Sequence, residues 1–432
     1  MHPALRLGYE GTARLARASA SLAGMLPSLD AKLLRTLRAR KGIRVRYRDW
    51  AAAHRDRSRP LLWMHAPSVG EGLQARPLLE LMRRRHPAVQ LAYTHFSPSA
   101  AAFSQTLDVD FRDYLPFDAD ADMSAALDAL RPTAIVYSKL DVWPTLSALA
   151  HERGIALGLV SATLASNSSR RSRLATALLG DAYSALDAVG AIDDADAARL
   201  IQLGVRSSVI SVTGDTRYDQ VWERAQRVDR NSPMFARLAS SRPTLVAGST
   251  WPADERVLLP AFAEARRQQP AVRLVIAPHE PTPGHLAPIE AWSRSERLRL
   301  ARLDAATAST DIVLVDRVGV LGDLYALADA AFVGGGFHDA GLHSVLEPAA
   351  FGAPVLFGPR YHGSRDARLL VMREGGRSVA DVASLAAAVT GWLDPSARAA
   401  AGTRAKALVH DGLGAAERSL RVVESLLGRG GA

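Results

Sequence analysis

Cysteine is absent from the 432 residues, which excludes a disulfide-stapled scaffold and any thiolate zinc or iron–sulfur centre. Long apolar runs are missing too. The longest uncharged stretch near the start, Ala18–Leu29, falls short of the about 20 residues that a membrane-spanning helix needs. Arg6, Glu10, Arg14 and Arg17 interrupt any signal-peptide core, so none is expected. There is no G-x-S-x-G elbow, no Walker A lysine loop and no H-E-x-x-H pair, which weighs against hydrolase, P-loop NTPase and zincin chemistry. What is present is a chain 48% apolar and 22% charged, the composition of ordered domains, and long enough for two or three of them.

The net charge of +9 is concentrated in one place. Residues 1–48 hold eleven basic and two acidic side chains, and the remaining residues are balanced. Leu15, Leu22, Met25, Leu26, Leu33, Leu34 and Leu37 recur at roughly helical spacing between these cations. The pattern predicts a basic amphipathic segment lying on an anionic membrane surface. Packing of the same residues against the protein's own core is the rival reading. No nucleic-acid module accompanies the charge, so nucleic acid is not expected as a partner.

From Leu61 onward, apolar strand-like runs alternate with helical patterns. Strands are expected at 61–66, 89–94, 133–138, 155–160, 188–192 and 208–213, then at 244–247, 272–277, 312–315, 330–333 and 354–357. The alternation predicts an α/β fold of two Rossmann-like, doubly wound domains facing across a cleft. The expected division is a membrane segment at 1–48, a first domain at 49–213, a linker at 214–243 and a second domain at 244–432. Helical stretches at 382–393 and 396–427 close the chain.

Three strand-to-helix junctions carry candidate chemistry. Trp63-Met-His-Ala-Pro-Ser-Val-Gly-Glu71 delivers one carboxylate to a strand's C-terminal end, where a cleft-facing general base belongs. Ser68-x-x-Glu71 also has capping-box spacing, in which Glu71 serves only its own helix. Gly334-Gly-Gly336 follows a buried strand and precedes a helix expected near Ser344, an arrangement that lets backbone N–H groups approach a phosphate. There Glu347 is placed to accept bonds from ribose hydroxyls, and Ser344-x-x-Glu347 repeats the capping spacing. Gly248-Ser249-Thr250 is a second junction of this kind, and His279 ends another strand. His338 and His343 beside Asp339 have neither zincin spacing nor a thiolate, so no metal is expected.

Taken in order, these segments resemble one family. WMHAPSVGEG, YLPFD at 114–118, DVWP at 141–144, VTGDTRYD at 212–219, GSTWPADE at 248–255, APHEP, and GDLYALADAAFVGGGF with GLHSVLEPAAFGAPVLFGP together are similar to the 3-deoxy-D-manno-octulosonic acid (Kdo) transferases of lipid A biosynthesis. Those are inverting glycosyltransferases of GT-B fold. The resemblance implies that Glu71 is the catalytic base and that Ser249, Thr250, His279, Gly335, Gly336, Ser344 and Glu347 bind the nucleotide sugar. It offers Ser68, Gly70, Lys139 and Asp141 as acceptor or donor contacts. It further implies CMP-Kdo as donor, a lipid A precursor as acceptor, no cofactor, helix dipoles rather than a metal at the leaving phosphate, and docking on the cytoplasmic face of the inner membrane. The sequence departs from the family where E-T-E-L-W-P becomes Lys139-Leu-Asp-Val-Trp-Pro144, where N-A-R-L-S becomes Ser161-Ala-Thr-Leu-Ala165 and where P-R-H becomes Ala277-Pro-His279. Two arginines suited to an acidic sugar are lost, with Arg170, Arg171 and Arg360 as candidate replacements. The alternatives are a GT-B transferase or epimerase for another nucleotide sugar, and a catalytically degenerate membrane-bound paralogue.

Overall fold

Strands rich in Val, Ile, Leu and Ala on both faces can be satisfied only if helices cover both sides of the sheet. The computed structural model of the chain, which describes residues 9, 11, 32–165, 168–339 and 341–429, contains two such sheets. The chain divides into two compact units, Met1–Gln220 with Gly414–Ala432, and Val221–Leu413.

In the first unit the strands are β1 (Leu61–His65), β2 (Gln90–His95), β3 (Phe111–Tyr114), β4 (Ala134–Ser138), β5 (Ala156–Ala162), β6 (Ala188–Ala191) and β7 (Ile210–Val212). They pair in parallel in the order β3-β2-β1-β4-β5-β6-β7. Order reverses between β1 and β4, so a topological switch point lies at the C-terminal ends of that pair. Leu61 and Trp63 enter one apolar cluster while Leu62 and Met64 enter another, which is the two-faced burial that the unbroken apolar strand demands.

The second unit repeats the plan. Its strands are β8 (Thr244–Thr250), β9 (Arg273–Pro278), β10 (Leu300–Arg302), β11 (Ile312–Leu314), β12 (Ala330–Val333), β13 (Val355–Phe357) and β14 (Gly376–Ser378). The order β10-β11-β9-β8-β12-β13-β14 puts the switch between β8 and β12. Both sheets are α/β and Rossmann-like, as the alternation predicted.

The partition of the chain differs from expectation at its end. The helix expected over 396–427 breaks after Asp411 and resumes at Ala415, with Gly414 between them at φ 84°, a value glycine adopts without strain. Asp219 then accepts from the N–H groups of Gly414 and Ala416 at 2.7 and 2.9 Å. The helix Ala415–Arg429 joins the first unit rather than the second. Its Leu420, Val423 and Leu426 are fully buried beside Leu62, Met64 and Val136, and Arg85 pairs with Glu417 at 2.6 Å. The stretch expected as a linker holds helices Thr216–Arg227 and Pro233–Leu238, with the unit boundary inside the first.

The basic segment is split. Residues 1–31, apart from Tyr9 and Gly11, lie outside the described residues, and the apolar positions Leu15, Leu22, Met25 and Leu26 are among them. Within residues 35–48 the rival reading holds. Leu37, Ile43 and Tyr47 are buried, and Arg46 pairs with Asp113 at 2.7 Å. Arg40 is 3% exposed. It donates to the carbonyls of Leu115 and Thr36 at 2.8 and 2.9 Å and stacks over Phe96. Burial brings its guanidinium down to about 10. Among the described residues no helix is long and apolar enough to cross a membrane.

Candidate functional site

In the first unit, the candidate residues gather at the switch point. β1 runs into Ser68, and the helix Val69–Arg85 begins at once, carrying Glu71 in its first turn. The expected capping box does not form: Ser68 makes no side-chain bond to the helix backbone. Its hydroxyl donates instead to Glu71 Oε2. Across the switch, Lys139 follows β4 and its Nζ donates to Glu71 Oε1 at 3.0 Å. Glu71 is thus a side chain with both oxygens occupied, 15% exposed against 45% for Lys139. Burial pushes its carboxyl up, but the Ser68 hydroxyl and the Lys139 ammonium together outweigh that and hold it below the usual carboxylate range. Gly70 stands beside it with space for a methyl group, the nearest atom being Ser68 Oγ at 3.8 Å, so packing alone does not demand glycine there.

Asp141 belongs to a neighbouring network. Its Oδ2 lies 3.1 Å from His65 Nε2 and accepts from Trp143 Nε1 at 2.9 Å. Arg170 approaches Oδ1 at 3.6 Å and donates to the Leu140 carbonyl. Burial raises the Asp141 carboxyl and these partners, His65 foremost, bring it below its ordinary value. Arg170 is therefore engaged inside the protein rather than offered to a substrate carboxylate. The Arg171 side chain lies outside the described residues, and Arg360 pairs with Asp339. His65 and Trp143 were not singled out from the sequence, because a histidine inside an apolar strand carries no spacing signal.

In the second unit, the ends of β8, β9 and β12 bring Ser249, Thr250, His279, Gly335 and Gly336 together, with Trp251 at the centre. Trp251 stacks on His338 at 4.6 Å between ring centroids and lies 4.7 Å from His279. Its Nε1 donates to His343 Nε2 at 3.2 Å. That bond makes Nδ1 the protonated nitrogen of a neutral His343. Burial, reinforced by His279, holds His343 down at about 4. Thr250 is fully buried and spends its hydroxyl on Glu255 at 2.7 Å, which His285 also touches at 3.0 Å. Among the described residues no group of His, Asp or Glu is arranged to hold a metal ion.

The triple glycine works differently from the expectation. Asp254, fully buried, accepts from the N–H groups of Trp251 at 2.9 Å, Gly335 at 2.8 Å and Phe337 at 3.1 Å. The Gly334 N–H donates to the Gly248 carbonyl at 2.9 Å. Two of the three glycine amides expected to cradle a phosphate are therefore spent on the loop itself. The glycines are needed for close approach: a Cβ on Gly334 would sit 2.2 Å from the Ser249 carbonyl oxygen, and one on Gly336 2.4 Å from the Gly358 nitrogen. Asp254 escaped the sequence reading because two of its three backbone donors, Gly335 and Phe337, are more than eighty residues away.

Two further expectations change. The helix after the glycines starts at Leu346, has five residues and lacks a side-chain cap, so the Ser344–Glu347 box is not formed. A helix this short also supplies little dipole for a leaving phosphate. Ser344 is exposed before it. Glu347 is raised by burial, with Arg224 pulling it down and Asp323 pushing it further up, and it takes no hydrogen bond from the described residues. Its carboxylate is available to hydroxyl donors.

Ser249 holds φ at 53° and Lys139 at 67°, values that side chains other than glycine's seldom adopt. Both sit at the C-terminal end of a switch-point strand. Backbone strain retained at such places is characteristic of sites.

Comparison with known proteins identifies the family. Residues 35–220 match the family model described as 3-deoxy-D-manno-octulosonic-acid transferase (kdotransferase). A 3-deoxy-D-manno-octulosonic acid transferase of Chlamydophila psittaci is 30% identical over 353 residues, 79% of each chain. That of Bordetella pertussis is 29% identical over 381 residues, 85% of this chain and 87% of its own. Among solved structures, UDP-GlcNAc 2-epimerase from Neisseria meningitidis, bound to UDP-GlcNAc, superposes with a TM-score of 0.60 at 13% identity, covering 85% of this chain and 99% of its own. At that identity the likeness concerns the two-domain fold alone. The length and identity of the sequence matches go further, and the chain belongs to the 3-deoxy-D-manno-octulosonic acid transferase family of glycosyltransferases.

Proposed function

We propose that the chain transfers Kdo from CMP-Kdo to a lipid A precursor with inversion at the anomeric carbon. The observation that carries the reading is the Glu71 carboxylate in the first helical turn after β1, held ionised by Ser68 and Lys139, inside a chain of this family. The acceptor hydroxyl oxygen forms a bond to the anomeric carbon as the bond from that carbon to the phosphate oxygen breaks. The electron pair of the broken bond leaves on the nucleotide, and the hydroxyl proton passes to Glu71. Because Ser68 and Lys139 hold Glu71 below the usual range, an unactivated hydroxyl does not protonate it. The proton moves as carbon–oxygen bond formation acidifies that hydroxyl. On the donor side Glu347 accepts from ribose hydroxyls, with Ser249, His279 and Ser344 around the nucleotide and the Gly335–Gly336 backbone as a wall. Gly70 and Asp141 face the acceptor side. Incubating the protein with CMP-Kdo and tetraacylated lipid A precursor is expected to yield a Kdo-bearing lipid and CMP. CMP-Kdo left intact, with turnover of a UDP-sugar instead, would sink the donor assignment.

The address we propose is the anionic cytoplasmic face of the inner membrane, reached through the Arg6, Arg14 and Arg17 stretch, since Arg40, Arg44 and Arg46 are engaged with groups of the first unit. Each surface cation contributes about 1 kcal/mol on an anionic bilayer, so changing all three to Gln should weaken binding about 100-fold. Flotation with phosphatidylglycerol-containing vesicles measures this. Equal flotation with purely zwitterionic vesicles would count against the electrostatic part.

A further inference from the structure

Lys139 stands where its backbone is least comfortable. At φ 67° a lysine sits in the left-handed region, a strain that glycine would not incur. The position is held by its N–H, which donates to the Val160 carbonyl on β5 at 2.9 Å. The result is an ammonium carried off the end of β4, across the switch point, to 3.0 Å from Glu71 Oε1. The Ser68 hydroxyl holds the other oxygen, so the carboxylate is fixed from two directions.

From β2, the buried Tyr93 phenol faces Glu71 and is itself pushed up, by burial first and by the Glu71 charge second. From its own helix, Arg76 stacks over Phe103 at 4.7 Å and draws the Tyr93 phenol back down. Lys139 hydrogen-bonds Glu71 directly and lowers it.

We infer that Lys139 is a positioning residue for the base: it fixes the Glu71 carboxylate in its ionised, aimed state and thereby sets the acid limit of transfer. This rests on the reading of Glu71 as the base. It also gives Lys139 a role other than direct contact with either substrate, for its ammonium is engaged with Glu71.

The test is the pH dependence of kcat/KM for the full chain, in wild type and in Lys139→Met, Lys139→Gly and Lys139→Arg. An opposite charge at this distance favours the ionised form, so its removal should move the acid limb up by about one pH unit. That is an about tenfold loss at pH values below the limb and little change above it. Lys139→Arg should keep the wild-type limb. Lys139→Gly guards against misfolding, because glycine accepts this backbone freely. An acid limb that stays in place in both Met and Gly variants overturns the inference. If either variant is too slow to profile, the titration of the Glu71 side-chain carboxyl, assigned as the 13C resonance missing from Glu71→Gln, decides in its place. Its midpoint must rise in Met and Gly and hold in Arg. Activity surviving in Glu71→Gln would instead remove the base reading itself, a failure distinct from an unmoved limb.

Discussion

Glu71→Gln is expected to lower kcat by about 10²- to 10⁴-fold, the range for loss of a general base, while the protein remains folded. Gln has the size of Glu and still bonds Ser68, but it cannot take a proton at neutral pH. The bridge it loses involves a lysine that is 45% exposed, and such pairs contribute at most about 1 kcal/mol. Donor KM should change little, because the residues assigned to the nucleotide sugar come from the second sheet. The sign of the pH effect on stability follows from the same geometry. Glu71 is depressed in the folded state, so its contribution is complete above the unfolded carboxylate value and is lost as pH falls through the folded one. Steady-state rates, with circular dichroism as a folding control, test the prediction. Near-wild-type turnover in Glu71→Gln would assign the base elsewhere.

Asp254→Ala carries the largest structural penalty. The carboxylate is fully buried and accepts three backbone N–H bonds, from Trp251, Gly335 and Phe337. Alanine leaves three dry donors without acceptors, each costing about 1–3 kcal/mol, and water can repair only part of that loss. We expect a destabilisation on the order of 3–5 kcal/mol in the second unit, together with loss of donor binding as the β8 and β12 ends separate. Hydrogen exchange localises the effect. Peptides covering 244–256 and 330–343 should lose protection, whereas those of β1 and β4 should not. Unchanged exchange in these peptides would mean that Asp254 does not organise the loop. Asp254→Asn, which keeps one acceptor oxygen and adds a donor facing donors, should fall between the two.

Much of this was legible in the residue pattern, and the failures have physical causes. The strands that sequence reading missed are β3, β10 and β14, and each lies at an edge of its sheet. An edge strand is short and exposed along one side, and Phe-Arg-Asp-Tyr, Leu-Ala-Arg and Gly-Arg-Ser lack the apolar run that reveals a central strand. Glu71 was legible because a lone acid after a buried strand stands out. Its partners were not, since Lys139 reaches it from 68 residues away. At the triple glycine, local pattern misled in an informative way. The glycines looked like a phosphate cradle, but Asp254 had already taken the Gly335 amide, and spacing within the loop gives no hint of an acceptor so distant in sequence. Both capping boxes had the right spacing and neither formed, because hydroxyl-to-carboxylate pairing in one and a late helix start in the other displaced the cap.

The return of helix Ala415–Arg429 to the first unit has a consequence for the order of assembly. All seven strands of the first sheet have been synthesised once Val212 is made. The apolar face formed by Leu62, Met64 and Val136, which Leu78 and Met82 of helix Val69–Arg85 join, nevertheless lacks part of its cover until Leu420, Val423 and Leu426 emerge. The second unit contains its whole chain between Val221 and Leu413, so on the ribosome it can close before the first. The half of the protein that is begun first is therefore completed last, and it carries an incompletely covered hydrophobic face through most of translation.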